Sequence, residues 1–210
     1  MIKILIADDH AIVREGLKQI VAETSDMDVA GEAANGQQVL EQVRRGDCDL
    51  VLLDIAMPGR GGLDTLKLLK LEYPKIPVLI LSIYPEEQYA MRALKAGASG
   101  YLTKESAPEE LIAAIRKLSQ GGKYISSSLA EKLALRLETD PSKPIHETLS
   151  DREYQVMLMI ASGKTVKKIA DQLSLSVKTI STNRARALRK MGMNNNSEFT
   201  YYAIKHGLVD

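Results

Sequence analysis

Five short strand-like runs, each followed by a helical repeat, fill the first 120 residues and leave few ways to fold them. The runs are Lys3–Asp8 (KILIAD), a weaker Asp28–Ala33, Leu50–Asp54 (LVLLD), Pro77–Ser82 (PVLILS) and Ser99–Leu102. Val13, Leu17, Ile20 and Val21 follow the first at helical spacing, and Gln37–Arg45 forms a helix closed by Gly46. A leucine-rich helix from Leu63 to Leu71 follows a Pro58-Gly59 turn, Glu86–Ala96 is stopped by Gly97, and Leu111, Ile115 and Leu118 mark the fifth helix. Met57 and the leucines of 63–71 read as core and turn packing. Fully apolar strands have to be covered on both faces, which requires a parallel, doubly wound sheet. The expected class is α/β, a flavodoxin-like five-stranded parallel sheet. Its order 2-1-3-4-5 is the leading candidate, although the sequence does not dictate it.

Gly121-Gly122 ends this block. Leu129, Leu133 and Leu137 suggest a further helix, and the polar run Thr139–Pro144, with two prolines, reads as a linker. An all-helical pattern follows: Asp151–Ser162, Val166–Leu173, Val177–Met191 and Ser197–His206, with turns short enough for a helix-turn-helix. The expected organisation is a first domain over 1–120, a helix and linker over 121–147, and a small all-α helix-turn-helix domain over 148–210. Charge divides along the same line. Residues 1–120 hold 14 Lys/Arg against 18 Asp/Glu, whereas residues 148–210 hold 10 against 5, so the basic part is the one suited to a polyanion. Cys48, the single cysteine, excludes a disulfide framework and is expected to be a small buried thiol. No leader pattern precedes Met1-Ile2-Lys3 and charges interrupt the long apolar runs, so a cytoplasmic protein with no membrane segment is expected.

Parallel α/β sheets bind ligands beyond the C-terminal ends of their strands. At those ends stand Asp8 and Asp9 after the first strand, Asp54 after the third, Ser82 after the fourth and Lys104 after the fifth. If the first and third strands are neighbours, three carboxylates converge, and a divalent cation such as Mg²⁺ relieves their repulsion. A carboxylate so placed can attack a phosphoryl group. The reading makes Asp54 the nucleophile, Asp8 and Asp9 metal-binding, and Lys104 and Ser82 contacts to phosphoryl oxygens. His10 reads as a solvent-facing or partner-facing residue at a helix start rather than a general base.

The segments Ala7-Asp8-Asp9-His10, Leu53-Asp54-Ile55-Ala56-Met57-Pro58-Gly59 and Gly97-Ala98-Ser99-Gly100-Tyr101-Leu102-Thr103-Lys104 resemble the signature segments of receiver domains. The resemblance implies that Asp54 is phosphorylated by a partner histidine kinase. It implies Asp9, Asp54 and the Ala56 carbonyl as Mg²⁺ ligands, and Ser82 with Tyr101 as a switch pair that reorients when phosphate arrives. Two positions depart from the common receiver pattern: Glu105 stands where many receivers have proline, and Ile83 where many carry a small residue.

In the basic part, Ser176 is placed to cap the helix starting at Val177. Val177, Ile180, Leu188 and Met191 form its apolar stripe, while Lys178, Thr182, Arg186, Arg189 and Lys190 lie broadly opposite. A basic, hydroxyl-bearing second helix is what major-groove reading requires. Thr165, Lys167 and Lys168 start the preceding helix and suit phosphate contacts. Arg184 falls near the stripe and is expected to snorkel or meet the backbone. Phe199, Tyr202, Ala203 and His206 read as a core stripe and candidate dimer surface. From Leu149-Ser150-Asp151-Arg152-Glu153 through Ser176-Val177-Lys178-Thr179-Ile180 to Gly207-Leu208 the chain resembles a LuxR-type domain, and the whole resembles a response regulator of the NarL/FixJ class. That resemblance implies double-stranded DNA as partner and base-facing positions at Lys178, Ser181, Thr182 and Ala185, with Thr179 beside them. It also implies a phosphorylation-dependent homodimer, with RNA polymerase a further candidate partner.

The expected function is a DNA-binding transcriptional regulator switched by phosphorylation, not a turnover enzyme. Two rivals explain less. A constitutive DNA-binding regulator whose first domain only dimerises leaves the full Asp8, Asp9, Asp54, Ser82 and Lys104 set without a job. A phosphatase working through the same aspartate leaves residues 148–210 unexplained.

Overall fold

A computed structural model describes residues 1–127, 129–131 and 144–209. The chain forms two compact units that divide between Leu133 and Ala134. In the first, strands β1 (Ile2–Ala7), β2 (Met27–Ala33), β3 (Leu50–Asp54), β4 (Val78–Ser82) and β5 (Gly100–Thr103) form one sheet in the order β2-β1-β3-β4-β5. All four pairings are parallel, as the apolar runs require. Helices α1 (Ala11–Ala22), α2 (Gly36–Arg44), α3 (Gly62–Glu72), α4 (Glu86–Lys95) and α5 (Pro108–Ser119) make the crossovers.

Strand alternation divides the core. Ile4, Ile6, Leu50, Leu52, Leu79, Leu81 and Leu102 pack with Val21 of α1 and with Leu111, Ile115 and Leu118 of α5. Leu5, Val51, Leu53 and Ile80, alternate residues of the same strands, are also buried, so both faces are covered. The ladder continues past β1, where the Asp8 N–H donates to the Ala33 carbonyl at 3.0 Å. It continues past β5, where the Lys104 N–H donates to the Ser82 carbonyl at 2.8 Å. Asp8 and Lys104 are therefore fixed by sheet hydrogen bonding rather than by loop conformation.

The second unit holds a 3₁₀ turn (Ile145–Thr148) and helices α6 (Asp151–Ala161), α7 (Val166–Leu173), α8 (Val177–Met191) and α9 (Asn196–Lys205). Its buried apolar residues include Val156, Met157, Ile169, Leu173, Ile180, Leu188, Met191, Phe199 and Ala203. Ser150 caps α6 in a capping box: its hydroxyl accepts from the Glu153 N–H at 3.3 Å, and Glu153 Oε2 accepts from the Ser150 N–H at 2.9 Å. Leu129 is buried in helical backbone, while Leu133, Leu137 and the linker residues 139–143 lie outside the described residues.

Four side chains depart from the expected packing. Leu71, in the last turn of α3, is 79% exposed because it falls off the stripe formed by Leu63, Leu66 and Leu69. Val177 is 51% exposed, since the first turn of α8 projects beyond the stripe that begins at Ile180. His206 is exposed beyond the end of α9, its ring 4.2 Å from that of Tyr202. Cys48 is only partly buried, because it sits in the loop before β3 rather than in the strand. Burial and the flanking Asp49 and Asp47 push its thiol pKa up, so it stays protonated.

Candidate phospho-acceptor site and nucleic-acid interface

The 2-1-3-4-5 order puts the ends of β1 and β3 side by side, and with them the carboxylates. Ligand atoms of Asp8, Asp9, His10 and Asp54 all lie within 4.8 Å of one another. Asp8 and Asp54 are each 1% exposed, so their charges need partners. Lys104 supplies one: its Nζ donates to Asp54 Oδ2 at 2.8 Å and forms a short ion pair with Asp8 Oδ2. Asp54 Oδ1 accepts from the Ala56 N–H at 3.0 Å. Burial pushes the Asp54 carboxyl above its ordinary value, against the pull of the Lys104 ammonium and the Ala56 N–H. Burial also works against the Lys104 ammonium, but Asp54 and Asp8 outweigh it and hold that pKa high.

The acidic turn is tied down locally. Asp8 Oδ1 accepts from the His10 N–H at 2.8 Å, which sets the start of α1. The His10 ring places Nδ1 3.0 Å from Asp9 Oδ1, off hydrogen-bonding geometry, and that oxygen is buried without a hydrogen-bond partner. His10 itself is exposed, as expected. An orphaned carboxylate oxygen beside two further carboxylates is a hard-oxygen donor set, and the residues fit a Mg²⁺ ion.

Ser82 and Tyr101, both fully buried, meet at the backbone of one residue, Tyr84. Ser82 Oγ accepts from the Tyr84 N–H at 3.0 Å, and the Tyr101 hydroxyl donates to the Tyr84 carbonyl at 2.8 Å. Burial drives the Tyr101 pKa far up, so the hydroxyl remains a donor. The β4–α4 loop is thus held from both sides by the two residues singled out as a switch pair. Ile83, between Ser82 and Tyr84 in the chain, is 64% exposed.

Arg14 was not singled out in the sequence. Its Nη1 donates to the Asp8 carbonyl at 2.8 Å and its Nε to Glu32 at 2.9 Å, so α1 clamps the ends of β1 and β2 together. Lys18, one helical turn on, also reaches Glu32 at 2.8 Å. The signal was a pair of cations at i and i+4 on the helix following the Asp-Asp pair.

In the second unit α7 and α8 are joined through Ser174, at φ 51°, Leu175 and Ser176. Thr165 caps α7, accepting from the Lys168 N–H at 3.3 Å, and Ser176 caps α8, accepting from the Thr179 N–H at 3.0 Å. Thr165, Lys167, Lys168, Lys178, Ser181, Thr182, Ala185, Arg186 and Arg189 are exposed, and Thr179 is half-buried. Two cations of α8 are turned to structural work. Lys190 pairs with the buried Glu153 of α6 at 2.6 Å, and Arg184 reaches Asn196 Oδ1 at 2.5 Å. Lys190 therefore leaves the expected basic face, and Arg184 meets a side chain of α9 rather than the backbone.

The family model of the response regulator receiver domain matches residues 4–116, and that of the luxR family of bacterial regulatory proteins matches residues 147–203. The chain belongs to the two-component response regulators of the NarL/FixJ class, DNA-binding regulators of transcription. It is 37% identical over 211 aligned residues to response regulator UvrY of Escherichia coli K12, covering all of this chain and 97% of that protein. It is 38% identical to response regulator GacA of Pseudomonas aeruginosa, covering all of this chain and 99% of that one. Among solved structures, RcsB of Salmonella enterica serovar Typhimurium, bound to promoter rprA with the phosphomimetic BeF₃⁻, matches with a TM-score of 0.66. That match has 25% identity and covers 96% of this chain and 97% of RcsB. Among the described residues no helix is long and apolar enough to cross a membrane.

Proposed function

We propose that Asp54 accepts a phosphoryl group from a sensor histidine kinase and that its phosphorylation raises the affinity of the α7–α8 unit for operator DNA. The observation that carries this is the single ammonium of Lys104 bridging two buried carboxylates beside the orphaned oxygen of Asp9. A carboxylate oxygen of Asp54 attacks phosphorus while the phosphohistidine N–P bond breaks, leaving neutral imidazole on the kinase and an acyl phosphate on Asp54. Asp9, Asp8, Asp54 and the Ala56 carbonyl would hold Mg²⁺, which supplies charge neutralisation for the transferring group. Lys104 then exchanges its contact with Asp54 for one with a phosphoryl oxygen. Ser82 turns its hydroxyl from the Tyr84 N–H to another phosphoryl oxygen, and the loop that it shares with Tyr101 moves. Phosphate favours the moved state only by the contacts it makes there and lacks at rest.

The domain boundaries that go with this reading are a receiver over 1–120, a connector over 121–147 and a LuxR-type domain over 148–210. Thr165, Lys167 and Lys168 would contact phosphates, with Lys178, Thr179, Ser181, Thr182, Ala185, Arg186 and Arg189 on or beside the groove. The active form would be a homodimer on paired half-sites, working in the cytoplasm, with RNA polymerase as its downstream partner. The protein acts as a switch rather than a turnover enzyme. The Asp54→Asn variant should keep its fold by circular dichroism yet take up no phosphoryl group from acetyl phosphate and Mg²⁺, read as intact mass. Stoichiometric uptake by that variant would remove the nucleophile assignment.

A further inference from the structure

At the opposite end of the sheet, below the N-terminal ends of the strands, the receiver carries a second concentration of charge, of the other sign. A cavity of about 750 Å³ opens there, lined by Asp49, the apolar side chains of Pro74, Pro77 and Leu118, and three lysines, Lys70, Lys75 and Lys123. Two of the lysines are positioned by the fold. Lys70 leaves the last turn of α3 and its ammonium is held on the Ile76 carbonyl. Its stem passes over Gly97, where φ is +99° and an added Cβ would stand 2.9 Å from Lys70 Cγ, so a side chain at 97 would displace it. Lys123 donates to the Ala98 carbonyl at 3.1 Å, and its backbone is pinned by the next residue, whose N–H (Tyr124) donates to the Ser99 carbonyl at 3.0 Å.

Ile76 and Ala98 lie just ahead of the neighbouring strands β4 and β5, so the two ammoniums converge. Burial and the Lys123 charge together hold the Lys70 pKa below its ordinary value, and among the described residues no carboxylate counters them. Asp49, the carboxylate of the lining, is turned to the Lys3 N–H at 2.9 Å. A partly buried ammonium with a second cation beside it is disfavoured until an anion joins them. Ammonium groups bind phosphate as point charges, and the volume lies in the range of small-ligand sites. It exceeds what one phosphate needs, and the proline and leucine walls offer an organic portion an apolar surface.

We propose that this recess binds a small molecule bearing a di- or polyphosphate, held between Lys70 and Lys123 with Lys75 at the rim. It is a ligand site separate from Asp54.

The test uses the full-length ¹⁵N-labelled protein titrated with inorganic pyrophosphate in the absence of Mg²⁺. The readout is the amide resonances of Gly97, Gly121 and Gly122, which report on the recess and not on the basic DNA-binding unit. The expected result is saturable shifts at these amides, with affinity at least tenfold weaker in the Lys70→Gln/Lys123→Gln variant and unchanged in Asp54→Asn. The exposed single change Lys123→Gln should weaken binding at least threefold and serves if the double variant does not fold. Absence of shifts, shifts that never saturate, or equal affinity in the lysine variants would overturn the site.

Discussion

Glu153 shows how one residue can join two helices. It is 4% exposed, completes the capping box of α6 and accepts an ion pair from Lys190 of α8 at 2.6 Å. Burial alone would raise its pKa, but Lys190 and the Ser150 N–H and hydroxyl outweigh it, and the net shift is downward from 4.5. A carboxylate with a depressed folded-state pKa contributes stability that is complete above its unfolded value and lost as pH falls through the folded one. Glu153→Gln should therefore be about 1–2 kcal/mol less stable than the parent chain at pH 7, with Lys190 half-exposed and screened. The gap should close as pH falls from 4.5 through the lower folded-state value. Urea midpoints at several pH values measure it, and a gap independent of pH would mean that the pair contributes nothing. At the same scale, Asp54, Asp8 and Lys104 were legible because strand ends are countable in the sequence. Arg14 was not, since nothing in a helix pattern says which carbonyl a long side chain will find.

At the scale of elements, the β3–α3 connection depends on Gly62. Its N–H donates to the Ile55 carbonyl at 3.0 Å, and an added Cβ would lie 2.0 Å from the Asp54 carbonyl oxygen and 2.7 Å from Ile55 Cα. These neighbours are backbone and cannot swing aside. Gly62→Ala should cost about 3 kcal/mol and, by moving the strand end that carries Asp54, slow phosphorylation by acetyl phosphate as well. Thermal midpoints and phosphorylation rates check the two effects. A stable variant with parental rates would show that the close approach has no consequence. Apolar runs, helical period and end signals located these elements to within a residue or so: Leu50–Asp54, Val166–Leu173 and Val177–Met191 have the bounds read from the sequence. Periodicity identifies a face but not where its cover stops. Val177 and His206 lie at helix ends, beyond the covered stripe, and Leu71 points off its helix's buried face, which is why they are exposed. The order 2-1-3-4-5 and the Ser82–Tyr84–Tyr101 arrangement depend on contacts distant in sequence, which pattern cannot specify.

For the whole molecule, the division of charge matters more than its sum of +1. The receiver is acidic and buries Asp8 and Asp54, whereas residues 148–210 carry twice as many cations as acids, with Lys167, Lys168, Lys178, Arg186 and Arg189 exposed on α7 and α8. DNA affinity should fall steeply with salt, by roughly 0.9 in log–log slope for each phosphate neutralised. Lys168→Ala should weaken binding to all sequences alike and reduce that slope by about 1, as for the loss of a phosphate contact. An unchanged slope would place Lys168 off the DNA. The account as a whole rests on the link between Asp54 and DNA, and one measurement tests it most directly. Purified protein with Mg²⁺ is incubated with host genomic fragments, with and without beryllofluoride, and the captured fragments are sequenced. Selective enrichment of a few fragments only with the mimic, and its absence in Asp54→Asn, is the predicted result. Equal enrichment in both conditions would contradict the account, leaving a DNA-binding protein that Asp54 does not control.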